Sequence, residues 1–211
     1  MTDANTLLMK SIHAKWDPAI VSACKTSTVP PAFLAALIAN ESGGNPDAKR
    51  HERNVLAALW ELLQGRAASY GSIRRDDVLA YISAPDPGLT EISPAGLLAR
   101  LTRSLQQLDS LATSWGLTQI MGYEAIPFAS RTFWTDSEGS LRITLRMLAQ
   151  FSERYQLDLA KDFAELLNCW NTGRPHGAPT ADPQYIPNGL ARMNIYQGFS
   201  DDDEPPKAMS A

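Results

Sequence analysis

The stretch Phe33–Gly44, FLAALIANESGG, decides how this chain reads. Seven apolar residues in a row, Phe33 to Ala39, are followed by Asn40, Glu41, Ser42 and two glycines. Pro31 suits a first helical turn, and Gly43-Gly44 is a strong stop signal. The stretch therefore predicts a helix over 31–42. At about 100° per residue, with Phe33 at zero, Leu37 falls at about 40°, Leu34 at about 100° and Ile38 at about 140°. Glu41 falls at about 80°, in the middle of that apolar arc. A charge buried there is costly, so the carboxyl must find a partner or stay protonated. A protonated acid at the rim of an apolar pocket is what glycoside cleavage asks of a general acid. The bland alternative is that Glu41 bends into water at the helix end and does nothing. Against that, the carbonyl end of a helix is partly negative and disfavours a carboxylate, and locally unfavourable choices mark functional sites.

The rest of the chain also reads as helical, which predicts an all-α, mainly helical fold with at most a small β-hairpin near 45–52 or 65–75. Leu7, Leu8, Ile12, Trp16, Ile20 and Val21 give an apolar stripe over 5–24. Val55, Leu56, Leu59, Trp60 and Leu63 give another over 52–64. Further helices are expected at 75–83, from Pro94 (capped by Ser93) to about Thr113, at 137–156, at 158–171 and near 184–197. The region 1–200 is expected to form one domain. The acidic, proline-containing tail 201–211 is expected to be disordered.

Composition narrows the function. The chain has 211 residues, 44% apolar and 20% charged, enough for a real core. A net charge of −4 argues against nucleic acid as a partner. No stretch approaches the about 20 apolar residues of a membrane span. The first residues lack a basic segment followed by an apolar one and a cleavage site. The chain is therefore expected to be made and kept in the cytoplasm, or exported by a signal-independent route. Cys24 and Cys169 lie in apolar helical settings and read as reduced core thiols. His13, His51 and His176 show no zinc-ligand spacing, so no metal or cofactor is expected. No heptad pattern is present, and a monomer is expected.

Two further segments carry chemistry. GLTQIMG, Gly116–Gly122, and CWNTG, Cys169–Gly173, follow the Glu-Ser pair in order, and YIPNGLARMNIY, Tyr185–Tyr196, comes after them. Taken together they resemble the soluble lytic transglycosylase and goose-type lysozyme superfamily, across roughly residues 30–197 and in islands. SWGLTQIMG also resembles the matching segment of phage-associated N-acetylmuramidases, which share the long connection between the Glu-Ser pair and the first glycine. Thr118 and Thr172 depart from the methionine and alanine usual at those places. The resemblance implies a lysozyme-like fold, with 1–200 as a single catalytic domain. Because simple members of the superfamily have a much shorter connection between the Glu-Ser pair and the first glycine, it also implies a helical insertion at about 53–112.

Residue by residue, the resemblance makes Glu41 the catalytic acid and Ser42 a group that holds the sugar or orients the acid. It puts Gln119 and Asn171 in the cleft and makes Tyr185 the tyrosine approaching the acid, with Tyr196 as its rival. Each has a plainer reading. Gln119 could serve buried backbone groups, Asn171 a helix end, Ser42 the helix terminus, and Tyr185 an ordinary amphipathic face. Trp115 and Trp170 suit stacking on sugar rings or simple core packing. Glu52, or Asp47, is a candidate second carboxylate; a surface ion pair is the alternative for Glu52.

The function so implied is cleavage of the β-1,4 bond between N-acetylmuramic acid and N-acetylglucosamine in peptidoglycan. Without a second carboxylate the product is 1,6-anhydro, as in a lytic transglycosylase; with one holding a water it is hydrolytic, as in a lysozyme. A catalytically silent glycan-binding module and a helical interaction protein are the competing classes. A phage or prophage lysis role ranks slightly ahead of a secreted effector.

Overall fold

A computed structural model of the chain describes residues 4–83, 94–128, 136–177 and 182–202. The expected mainly helical class is what the chain shows. In chain order the described elements are α1 Ala4–Cys24, α2 Pro31–Glu41, β1 Lys49–His51, α3 Arg53–Leu63, β2 Ser69–Tyr70, β3 Ile73–Arg74 and α4 Arg75–Ile82. They continue with α5 Pro94–Leu111, β4 Thr113–Trp115, β5 Ile120–Met121, a 3-10 helix Gly122–Phe128, α6 Ser137–Tyr155, α7 Phe163–Thr172 and α8 Tyr185–Asp202. The chain divides into two compact units: Met1–Pro46 with Asp136–Ala211, and Asp47–Thr135.

The first unit is built around α2. Every residue from Ala32 to Ala39 is buried. The helix therefore has no polar face at all, rather than the apolar arc drawn from its sequence. A helix apolar on all sides must be surrounded, and α8 and α1 are its main neighbours. Phe33 stacks on Phe163 of α7 with ring centroids 5.6 Å apart. Only the ends of the helix are half-buried: Pro31 at its start, and Asn40 and Glu41 at its rim. In α1 the buried line is Met9, Ile12, Ile20, Ala23 and Cys24, while Leu7 and Val21 face outward. Leu7 stands about 140° around the helix from Ile12, which takes it off the buried line. Cys24 and Cys169 are free and buried. Burial pushes both thiols up to about 11, so neither is a nucleophile at neutral pH.

The second unit has its own core: Leu59 and Leu62 of α3, Val78 and Tyr81 of α4, Leu108 and Leu111 of α5, with Ile73 and Ala112. Trp60, expected on the buried stripe of α3, is exposed instead. Strands occur at both places where a hairpin was expected. β2 and β3 form a hairpin in which Tyr70 faces Ile73. β1 joins a three-stranded antiparallel sheet in the order β1-β4-β5, with Arg50 opposite Ser114 and Trp115 opposite Ile120. β4 and β5 have no counterpart in the sequence expectation, because strands of two or three residues are too short to show alternation.

The remaining differences are at boundaries. α7 begins at Phe163, not 158, because Asp158 and Asp162 close a turn, the Asp162 carboxylate accepting from the Asp158 N–H at 2.7 Å. Asp201 and Asp202 belong to α8, so the helix runs into the tail that was expected to be disordered from 201. The Ser93 cap and residues 203–211 lie outside the described residues.

Gly122 shows why the motif ends in glycine. A Cβ there would lie 2.1 Å from the Ser110 carbonyl oxygen and 2.8 Å from Leu111 Cα, both backbone atoms that cannot swing aside. Gly122→Ala should lower stability by about 1–3 kcal/mol through forced displacement of α5. Gly198→Ala in α8, with nothing within 4 Å of its added carbon, should be neutral or stabilise by up to about 1 kcal/mol. Thermal unfolding of the two variants side by side checks this; equal melting temperatures would remove the packing role assigned to Gly122.

Candidate functional site

Glu41 closes α2, and the chain after it is bent sharply away. The Ser42 hydroxyl donates to the Ile38 carbonyl at 3.3 Å and accepts from the Gly44 N–H at 3.2 Å. Gly43 and Gly44 both have positive φ, +61° and +83°, which favours glycine at each position. The Trp16 indole N–H then fastens the turn by donating to the Gly44 carbonyl at 3.0 Å. Ser42 is thus the local clasp of the helix end.

Tyr185, the first residue of α8, is buried and donates its hydroxyl to Glu41 Oε1. Burial first, then the charge and hydrogen bond of Glu41, hold the phenol well above its ordinary pKa. The group therefore remains an O–H donor across physiological pH. The rival tyrosine goes elsewhere: Tyr196 donates to Asp17 Oδ1. Gly189 lets α8 lie close to α2 and α7, since a Cβ there would meet Leu167 Cδ1 at 2.6 Å and Asn40 Nδ2 at 3.0 Å.

Asn171 and Trp170, in the last turn of α7, belong to the same unit and are half-buried. The asparagine that organises this end is its neighbour one turn back. Asn168 is buried, and its Nδ2 donates to the carbonyls of Pro175 and Gly177, each at 2.9 Å. Gly173 caps α7 in the left-handed region at φ +78°. Sequence reading missed Asn168 because it weighed only the Asn of the Asn-x-Gly segment; its place on the apolar side of α7 was the available signal.

Gln119, Trp115, Glu52 and Asp47 lie in the second unit. Gln119 sits at the end of the β4–β5 turn with φ +53°. Its Nε2 donates to the carbonyls of Ala48 and Gly116, each at 3.0 Å, and its Oε1 accepts from the Ser114 hydroxyl at 2.9 Å. Both amide hydrogens are committed to backbone, which leaves one acceptor lone pair for anything else. The Trp115 indole donates to the Ser110 carbonyl at 3.0 Å. Glu52 precedes α3 and pairs with Arg50 Nε at 2.6 Å. Asp47 is exposed. Among the described residues no group of His, Cys, Asp and Glu is arranged to hold a metal ion. No described helix is long and apolar enough to cross a membrane.

The second unit also holds a carboxyl that sequence reading passed over. Glu124, on the 3-10 helix, is pushed up to about 7, chiefly by burial; the Met121 backbone and the Tyr123 hydroxyl oppose the shift. Tyr123 meets Tyr70 edge to face at 5.1 Å between centroids. Compared with known protein families, curated proteins and solved structures, the chain matches none.

Glu124 gives a pH dependence with a definite sign. In the folded chain it keeps its proton to about pH 7, whereas an unfolded chain releases it near 4.5, the ordinary value for such a carboxyl. The stability tied to the neutral acid is therefore full below about 4.5 and falls as pH rises through about 7. Melting temperatures of the wild type should decline across that window, and Glu124→Gln should flatten the decline. Parallel slopes for the two proteins would show that Glu124 is not the group responsible.

Proposed function

We propose that the chain is a peptidoglycan-cleaving glycosidase that uses Glu41 as its general acid on the β-1,4 bond between N-acetylmuramic acid and N-acetylglucosamine. The observation that supports this most is the half-buried Glu41 carboxyl at the end of an apolar helix, held by a buried phenol through Oε1. With Oε1 taken by Tyr185, the transferable proton belongs on Oε2. Passing it to the glycosidic oxygen breaks the bond as positive charge grows at the sugar's anomeric carbon. Gly43, with nothing within 4 Å of an added Cβ, leaves open space beside the helix end for a bulky glycan.

Two completions follow from the same first step. If the substrate's own N-acetyl and 6-hydroxyl groups capture the cation, the product is 1,6-anhydro. If a carboxylate delivers water, the product carries a reducing end; Glu52 and Asp47 are the candidates. Asn171, Gln119, Trp115 and Trp170 would bind glycan, Gln119 through its one remaining acceptor. The wall substrate implies an enzyme that reaches peptidoglycan by lysis or export, acting as a monomer.

The test is mass spectrometry of the material released from purified peptidoglycan by the wild type and by Glu41→Gln. The wild type should release muropeptides, and Glu41→Gln should be slower by about a hundredfold to ten-thousandfold while still binding the wall. Anhydro ends would mark a transglycosylase and reducing ends a lysozyme. Release of no fragments by the wild type, where a control enzyme digests the same wall, would sink the enzymatic reading and leave a glycan-binding module.

A further inference from the structure

Beneath the Glu41–Tyr185 contact lies a second layer of polar side chains. Arg192 stands two turns along α8 from Tyr185 and is half-buried. Its Nη1 donates to Asn40 Oδ1 at 2.6 Å and its Nε donates to Asn5 Oδ1 at 3.0 Å. Burial lowers the guanidinium's pKa, with the charge of Asp182 opposing. The two partners in its fork are neutral amides, so these contacts do not close an ion pair. What the cation does settle is orientation. An asparagine amide has an oxygen end and a nitrogen end, and a cation on one side dictates which end faces it. With Asn40 Oδ1 turned to Arg192, Asn40 Nδ2 is left to face Tyr185 and donates to its carbonyl at 2.8 Å. Asn40 is also the residue next to Glu41 in the chain, so the amide that holds Tyr185 is borne by the same helix end as the carboxyl.

We propose that Arg192 is a positioning residue for this site, fixing Tyr185 through Asn40 and thereby the phenol that holds Glu41. The guanidinium suits the task because its rigid fork meets two amides at a fixed angle, one on α1 and one on α2. Lysine would supply the charge without the fork. The link to turnover rests on the glycosidase reading; the structural link does not.

The experiment separates the two. A phenol O–H held against a carboxylate gives a downfield, exchange-protected proton in NMR spectra. The wild type should show one that disappears in Tyr185→Phe. In Arg192→Met, with helix content unchanged by circular dichroism, that proton should move upfield or exchange away. A folded Arg192→Met with the resonance unmoved overturns the inference, and so does a wild type without the resonance, since no held phenol then needs positioning. If Arg192→Met does not fold, Arg192→Lys is read in the same way: an upfield shift supports the fork, and an unmoved resonance overturns it. On peptidoglycan, Arg192→Met should lower kcat about tenfold to a hundredfold with KM little changed, as expected of a misplaced acid. The same change should cost nothing further in a Tyr185→Phe background. Additive losses would make Arg192 a structural residue only. Absence of product from the wild type would remove the glycosidase reading and leave the proton resonance to decide the positioning role.

Discussion

The first unit depends on the burial of α2 on every side. A helix with no polar face cannot lie on a surface, so other helices must cover it, and its far end is the first place where polar atoms can meet solvent. Glu41 stands at that end. The same constraint explains why Tyr185 and Arg192 come from α8, a principal neighbour of α2. A buried phenol at the start of α8 reaches the carboxyl, and a guanidinium two turns later reaches the amide beside it. Core and site are therefore one construction, with the apolar length of α2 fixing where its polar rim must be.

The second unit is organised differently. Its helices enclose a separate core, and its short sheet is held by a glutamine rather than by length. Gln119 spends both of its amide hydrogens on the carbonyls of Ala48 and Gly116, tying the β4–β5 turn to the segment leading into β1. Gly122 lets the chain pass against the backbone at the end of α5. Residues that stand out in the sequence as a motif thus have a structural task whatever else they do.

Much of the helical framework was legible because long helices advertise themselves through periodicity, proline starts and glycine stops. The position of Glu41 in FLAALIANESGG and the choice of Tyr185 were legible too, although periodicity alone understated how completely α2 is enclosed. The three small strand segments of the β1-β4-β5 sheet were not all visible, because two or three residues carry no readable alternation. Asn168, Glu124 and Arg192 were hidden for another reason. Each is an ordinary polar residue in sequence, and becomes notable only through what folding places beside it: two loop carbonyls, a half-buried aromatic pair, a neighbouring amide. Trp60 failed in the opposite sense, since a large apolar residue at the right spacing can still sit outside the contact.

The division of the chain has a consequence for biosynthesis. The Asp47–Thr135 unit is interior to the sequence, while the unit around α2 needs segments from both ends. A ribosome therefore delivers α1 and α2 early, completes the whole inner unit next, and supplies α6, α7 and α8 last. Throughout that interval α2 exists without α8, one of its main coverings. A nascent chain halted between Ala39 and Tyr185 carries a run of seven apolar residues without the helix that supplies much of its cover, and such a fragment is prone to self-association. Stalled or truncated synthesis is thus the stage at which this architecture is most vulnerable.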